Sequence, residues 1–167
     1  MSPLSSAIVK PPTCTIVNVT TNESIGCLFN PTQLAEKVSV NWVRQQVLGM
    51  SYQPLQYQGT SNRTLPSVEF YLDKFYASAA PGSPDITDFR NFIRALTVPP
   101  ASVTTVAPPR TLVIWPRVMV IETVIVEVEF KYTTFAFDSS ALVYTATCSF
   151  EEILDARVTS EARRAGN

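Results

Sequence analysis

The sequence predicts a mainly β protein with one helix (α+β), built as an antiparallel β sandwich or barrel of about seven strands. Three observations carry this expectation. Residues 119–150 hold two long runs of period-two alternation with a turn sequence between them. Shorter alternating runs bunch before residue 75 and after residue 110 instead of interleaving with helices. Only one stretch, around residues 84–96, spaces its apolar side chains as a helix does.

Taken in order, residues 1–6 read as a loose lead. Residues 13–20 alternate Cys14, Ile16 and Asn18 against Thr15, Val17 and Val19, which is a strand pattern. Thr21-Asn22-Glu23-Ser24 is a turn cluster, and residues 25–29 form a short strand interrupted at Gly26. Asn30-Pro31 stops it, because proline lacks an N–H and restricts the residue before it. In residues 37–44, Val38, Val40 and Trp42 share one face, so a half-buried strand is expected. Residues 45–53 are a loop with Gly49, 55–58 a short strand, and 59–62 a second loop. Residues 65–75 place Val68, Phe70 and Leu72 opposite Ser67, Glu69, Tyr71 and Asp73, again a strand.

Residues 77–84 are rich in small residues, Pro and Gly, and read as a connector. The helix follows. Ser83 suits its cap, Pro84 its first position and Asp85 the positive end of its dipole. Ile86, Phe89, Ile93 and Leu96 make its apolar stripe with Phe92 alongside, while Asp88, Arg90, Asn91 and Arg94 face outward. Pro99-Pro100 ends it. Residues 101–110 are a loop, and 111–115 an apolar strand stopped by Pro116.

The long strand from Met119 has an even face of Val120, Glu122, Val124, Val126, Val128, Phe130 and Tyr132. Its odd face begins apolar and turns charged after Ile125. The expectation is a strand covered on both faces in its first half and on one face in its second. Phe137-Asp138-Ser139-Ser140 is the turn into a second strand, whose apolar face is Leu142, Tyr144, Ala146, Cys148 and Phe150. Residues 1–152 therefore form a single β domain, and 153–167 a charged helix or tail.

Composition narrows the function. The chain has 167 residues and 46% hydrophobic content, enough for one core. Charged residues are only 16%, against roughly 25% in ordinary soluble domains. That fits either a surface buried in an assembly or a plain Thr/Ser-rich β domain. Net charge is -1 with no basic run, so the footprint of a nucleic-acid binder is missing. No apolar run reaches the roughly 20 residues of a membrane span, and the N-terminus does not read as a signal peptide. Synthesis in the cytoplasm follows as the expectation, with no direct membrane insertion.

Catalytic chemistry finds little support. There is no histidine, hence neither the commonest general base nor the commonest zinc ligand. Cys14, Cys27 and Cys148 have no metal or redox spacing and read as buried apolar residues. Glu127 and Glu129 share a strand face with Lys131, which reads as a solvated row rather than an acid/base pair. Trp42, Trp115, Tyr71 and Phe70 read as core aromatics rather than a sugar or peptide platform. No cofactor, metal or enzymatic activity is expected.

A succession of motifs adds to this. Phe29-Asn30-Pro31, Val40-Asn41-Trp42, Pro54-Leu55-Gln56-Tyr57, Arg63-Thr64-Leu65 and Glu69-Phe70-Tyr71-Leu72-Asp73 occur in that order. Pro108-Pro109-Arg110 then precedes the strand ending in Trp115, and Tyr132, Thr133, Phe135, Asp138 and Glu151 follow. From Cys27 to Glu152 this order and spacing resembles the tube-like domain of contractile injection system (phage-tail-like) baseplate proteins. The sequence departs from that family's glycines at Pro116, at Ile121-Glu122-Thr123 and at the Asp138-Ser139-Ser140 turn. Many relatives carry a C-terminal peptidoglycan-binding-type module. None is read here, so another protein is expected to supply the link to the outer baseplate.

The resemblance implies a structural subunit, a tube initiator or baseplate hub. It would form a six-fold ring of itself between the spike protein and the inner tube, in contact with other baseplate proteins. The particle would be released or membrane-anchored. The bulk inner-tube protein of the same machine is the alternative within that class; a free-standing β-sandwich binding module is the alternative outside it. For a ring, the two-faced hairpin is the candidate wall: Thr123, Ile125, Glu127, Glu129, Lys131 and Thr133 on the first strand, with Val143, Thr145 and Thr147 on the second.

Overall fold

A strand of 17 residues, Met119–Phe135, runs through the centre of the protein and belongs to two halves of one sheet. The computed structural model describes residues 12–45, 48, 49, 51–79, 82, 84–100 and 107–154. The expectations for the lead at 1–6, for Ser83, for 101–106 and for the tail from 155 onward fall outside these residues.

In chain order the elements are β1 (Thr15–Asn18), β2 (Ser24–Gly26), β3 (Val40–Arg44), β4 (Leu55–Thr60), β5 (Thr64–Asp73), α1 (Lys74–Ala79), α2 (Ile86–Ala95), β6 (Thr111–Trp115), β7 (Met119–Phe135) and β8 (Ala141–Glu152). Six strands form one sheet in the order β2-β1-β6-β7-β8-β5, with every pair antiparallel. β3 and β4 form a separate hairpin, tied to the start of β5 by the Lys37–Thr64 bridge. The architecture is mainly β and antiparallel, as the alternation predicts.

One face of the sheet is the core. Ile16, Val113, Ile121, Leu65, Phe70, Leu72, Tyr144, Ala146, Cys148 and Phe150 point into it. α2 covers this face with Ile86, Phe89, Ile93 and Leu96. Phe89 meets Phe70 at a ring-centroid distance of 5.7 Å, and the Tyr144 hydroxyl donates to the Ile86 carbonyl.

Four expectations are corrected. First, β7 is not covered on both faces in its first half. Ile121 and Thr123 point inward with Met119 and Ile125 packed beside them, but Val120 is 63% exposed. The register slips between Ile125 and Glu127, so Val126 is an extra residue in a β-bulge. Beyond it the even residues Val128 and Phe130 turn inward. The apolar even and odd positions are thus one continuous face whose phase changes once.

Second, the strand expected at 65–75 ends at Asp73, and α1 begins at Lys74. The Asp73 carboxylate accepts from the Phe75 N–H at 2.8 Å, a local bond that turns the backbone out of the strand. Part of the expected connector is therefore helical. Third, Asp85 is the cap of α2 and Pro84 lies before it, outside the helix; Asp85 has extended backbone and its carboxylate accepts from the Thr87 N–H at 3.2 Å. Arg90 on that helix is half-buried, not outward-facing, and its Nε has no hydrogen-bond partner among the described residues.

Fourth, β3 is exposed along its whole length. The alternation of Val38, Val40 and Trp42 is real, but none of the other described residues forms a layer over it. β4 also extends to Thr60, through the expected loop.

Candidate assembly surfaces

The side of the sheet opposite α2 is a polar grid across β7, β8 and β5. Thr147 pairs with Glu129 on one side and Glu69 on the other; Thr145 pairs with Lys131 and Tyr71; Ser149 pairs with Glu127. The Ser67 N–H reaches the Ser149 hydroxyl at 3.3 Å, where a bulge at Pro66-Ser67 breaks the β5 ladder. Thr133 donates from its hydroxyl to the Val143 carbonyl at 3.2 Å. Of the residues singled out in sequence, Glu127, Glu129, Lys131, Val143, Thr145 and Thr147 share this face, and Thr133 stands exposed at its end. Thr123 and Ile125 do not. Thr123 is fully buried, donating to the Thr111 carbonyl at 3.2 Å, and Ile125 packs against the core. The bulge at Val126 separates the two groups.

The sheet offers two open edges beside this grid. β5 is the last strand of the sheet. β6 accompanies β7 only as far as Thr123, so from Val124 to Phe135 β7 has a strand on one side alone among the described residues. A groove lined by Arg94, Thr97, Pro108, Val126, Val128 and Phe130 lies beside this length. Unpaired strand edges template further pairing.

A third surface is apolar. Val40, Trp42, Val43, Leu55 and Tyr57 of the β3–β4 hairpin are all exposed, Trp42 by 55%. Trp42 and Tyr57 stack edge to face at 5.5 Å. Arg63 holds the base of the hairpin, bonding Glu152 at 3.0 Å and Glu36 at 3.5 Å. On the grid side, Phe29 stacks on Tyr76 at 5.4 Å and lies 6.0 Å from Tyr71, forming an aromatic notch with Asn30, Pro31 and Glu69. Trp42 and Tyr71 are thus surface aromatics, contrary to the core placement expected for them. Phe70 does belong to the core, and Trp115, half-buried, packs against it. The sequence signal for Trp42 was its flanking by Asn41 and Arg44, polar residues on a strand with too few apolar neighbours to be covered twice.

Titratable groups are arranged for stability rather than turnover. Burial pushes the Cys148 thiol up to about 12. Burial, with Tyr132 nearby, pushes the Tyr144 phenol well above its ordinary value. The Ser140 hydroxyl and N–H, at 2.7 and 3.0 Å, hold the Asp138 carboxyl below its usual range. Among the described residues no Cys, Asp and Glu side chains gather into a metal-binding group. None of their helices is long and apolar enough to cross a membrane.

No match to a curated protein was found. Residues 14–161 match the family described as contractile injection system tube protein, which covers most of the chain. A protein made of one two-sided antiparallel sheet, a covering helix and open edges, with its chemistry spent on packing, therefore belongs to the contractile injection system tube protein family, as a structural and non-enzymatic component.

Proposed function

We propose that the chain forms a ring of its own copies between the spike and the inner tube, and that this ring starts tube assembly. The grid of Glu127, Glu129, Lys131, Thr145 and Thr147 is its inner wall, with polar side chains turned to the lumen. The observation that carries this reading is the pair of open edges flanking the grid, β5 on one side and β7 from Val124 on the other. Copies set side by side about an axis bring these two edges together and leave neither flank of the grid unpaired. The low charged content supports it, since burying unpaired charge at a lateral contact is costly. So does the β3–β4 hairpin. Two strands alone are marginal in water, and this pair is apolar on surfaces that the other described residues do not cover.

Cross-linking tests the wall. Glu69 and Glu129 both pair with Thr147, one strand away on opposite sides, so they stand about 10 Å apart within one copy. That is too far for an internal disulfide. Chains with one cysteine on β5 (at Glu69 or Tyr71) and one on β7 (at Glu127, Glu129 or Lys131) should form a covalent ladder in assembled particles under mild oxidation. Each single-cysteine chain should not. Absence of a ladder from every combination sinks the edge-to-edge ring.

The bulk inner-tube reading is favoured by the plain tube-protein description of the matched family. Electron microscopy separates the two roles. An initiator forms discrete rings, alone or with spike, and caps a tube of another protein. A bulk tube subunit grows long tubes alone.

A further inference from the structure

Cys14 and Cys27 lie directly opposite each other across β1 and β2. The register Thr15–Gly26 and Ile16–Ile25 continues to this pair, and the Cys27 N–H donates to the Cys14 carbonyl at 2.8 Å. Both side chains point to the core and are fully buried. The two thiols perturb each other: the Cys27 side chain holds the Cys14 thiol below its ordinary value, while Cys14 and burial push the Cys27 thiol up.

A hydrogen-bonded antiparallel pair sets its Cα atoms about 5.5 Å apart, which is also the commonest spacing across a disulfide. Such pairs are usually pinned by two backbone bonds. Here only one is made within the pair, because the Cys14 N–H goes instead to the Asn30 side-chain oxygen at 2.7 Å. The two backbones are therefore freer to adjust when the sulfurs join. Cys148 is also buried but lies on β8, opposite Val68 and Val128.

We propose that Cys14 and Cys27 form a latent cross-strand disulfide, closed by a low-molecular-weight disulfide such as oxidised glutathione. The Cys14 thiolate attacks one sulfur of the small disulfide and releases one small thiol. The Cys27 sulfur then attacks the Cys14 sulfur of the mixed disulfide and releases the second. Two protein thiols are oxidised and one small disulfide is reduced to two thiols. Access comes through β2, a three-residue edge strand whose local opening uncovers both sulfurs. A chain made reduced and later exposed to an oxidising medium would acquire this staple after folding.

The test uses the full-length reduced protein, incubated native with oxidised glutathione, then acid-quenched, unfolded and alkylated. Intact mass should show one alkylated thiol in place of three. Cleavage after Glu23, which separates the two cysteines, should leave their peptides joined until reduction. The oxidised protein should also melt several degrees higher, and Cys148→Ala should behave the same way. Three alkylated thiols, a stable glutathione adduct, or a link to Cys148 each overturn the proposal. Because the mapping is done on the unsubstituted chain, failure of Cys14→Ala to fold would not obscure the result.

Discussion

The Tyr144 hydroxyl, in the middle of β8, donates to the Ile86 carbonyl in the first turn of α2. This bond crosses the core between the sheet and the helix that covers it. The same ring lies 6.1 Å from Phe130 and 5.5 Å from Tyr132, so it also fixes the inward phase of β7 beyond the bulge.

Removing that hydroxyl tests how much the bond holds. Tyr144→Phe keeps the ring and leaves the Ile86 carbonyl without this donor, which should cost about 1–2 kcal/mol. Urea denaturation should show a lower midpoint with an unchanged slope.

Buried acids make the protein sensitive to base. Cys148 is held up at about 12 and Tyr144 well above its ordinary value, both mainly by burial. The folded state keeps these protons after the unfolded chain has lost them. The stability they contribute is complete below the unfolded values and is lost as pH rises, from roughly pH 9 for the thiol and 10 for the phenol. Each group adds a slope of up to about 1.4 kcal/mol per pH unit. Denaturation midpoints measured from pH 7 to 11 should fall accordingly. Cys148→Ala should start lower at pH 7 and fall less steeply.

The Thr111–Thr123 pair is half satisfied. Thr123 donates to the Thr111 carbonyl, while the buried Thr111 hydroxyl has no partner among the described residues. Thr111→Val has nearly the same shape and removes the desolvated hydroxyl. It should raise stability by about 1 kcal/mol, read from a thermal melt. Thr123→Val should show no such gain.

The turn between β7 and β8 holds Ser139 at φ 64°, a conformation that costs a residue with a side chain. Ser139→Gly should stabilise the protein by roughly 0.5–1 kcal/mol. A lower melting temperature would mean that the Asp138–Ser140 bonds depend on a stiffer turn.

Trp42→Ala with Tyr57→Ala leaves the core untouched, because both side chains are exposed. The expected outcome is an unchanged melting temperature and a loss of assembled particles, seen by light scattering and electron microscopy. Lost secondary structure in the isolated chain would contradict it.

Strands were legible wherever one sheet face is buried. β8 alternates without interruption, so Tyr144, Ala146, Cys148 and Phe150 could be assigned to the core from the sequence. The stripe of α2 was legible for the same reason. Coverage was not. Period two identifies a strand but not what lies over it, and so β3 was read as half-buried although no layer among the described residues meets it. The bulge at Val126 was visible as a switch of apolar residues from odd to even positions, yet a switch and a doubly covered strand leave the same letters. α1 was hidden because Phe75 and Tyr76 favour strands by composition, while the Asp73 side chain acts locally to end one.

Removing Val126 leaves every neighbouring side chain on its present face, since Ile125 and Glu127 would then simply alternate. What a Val126 deletion removes is the kink itself, and with it the extra bend of β7. In the ring proposed above, subunits with flatter walls would close with more copies, so that pore diameter would follow from a single inserted valine.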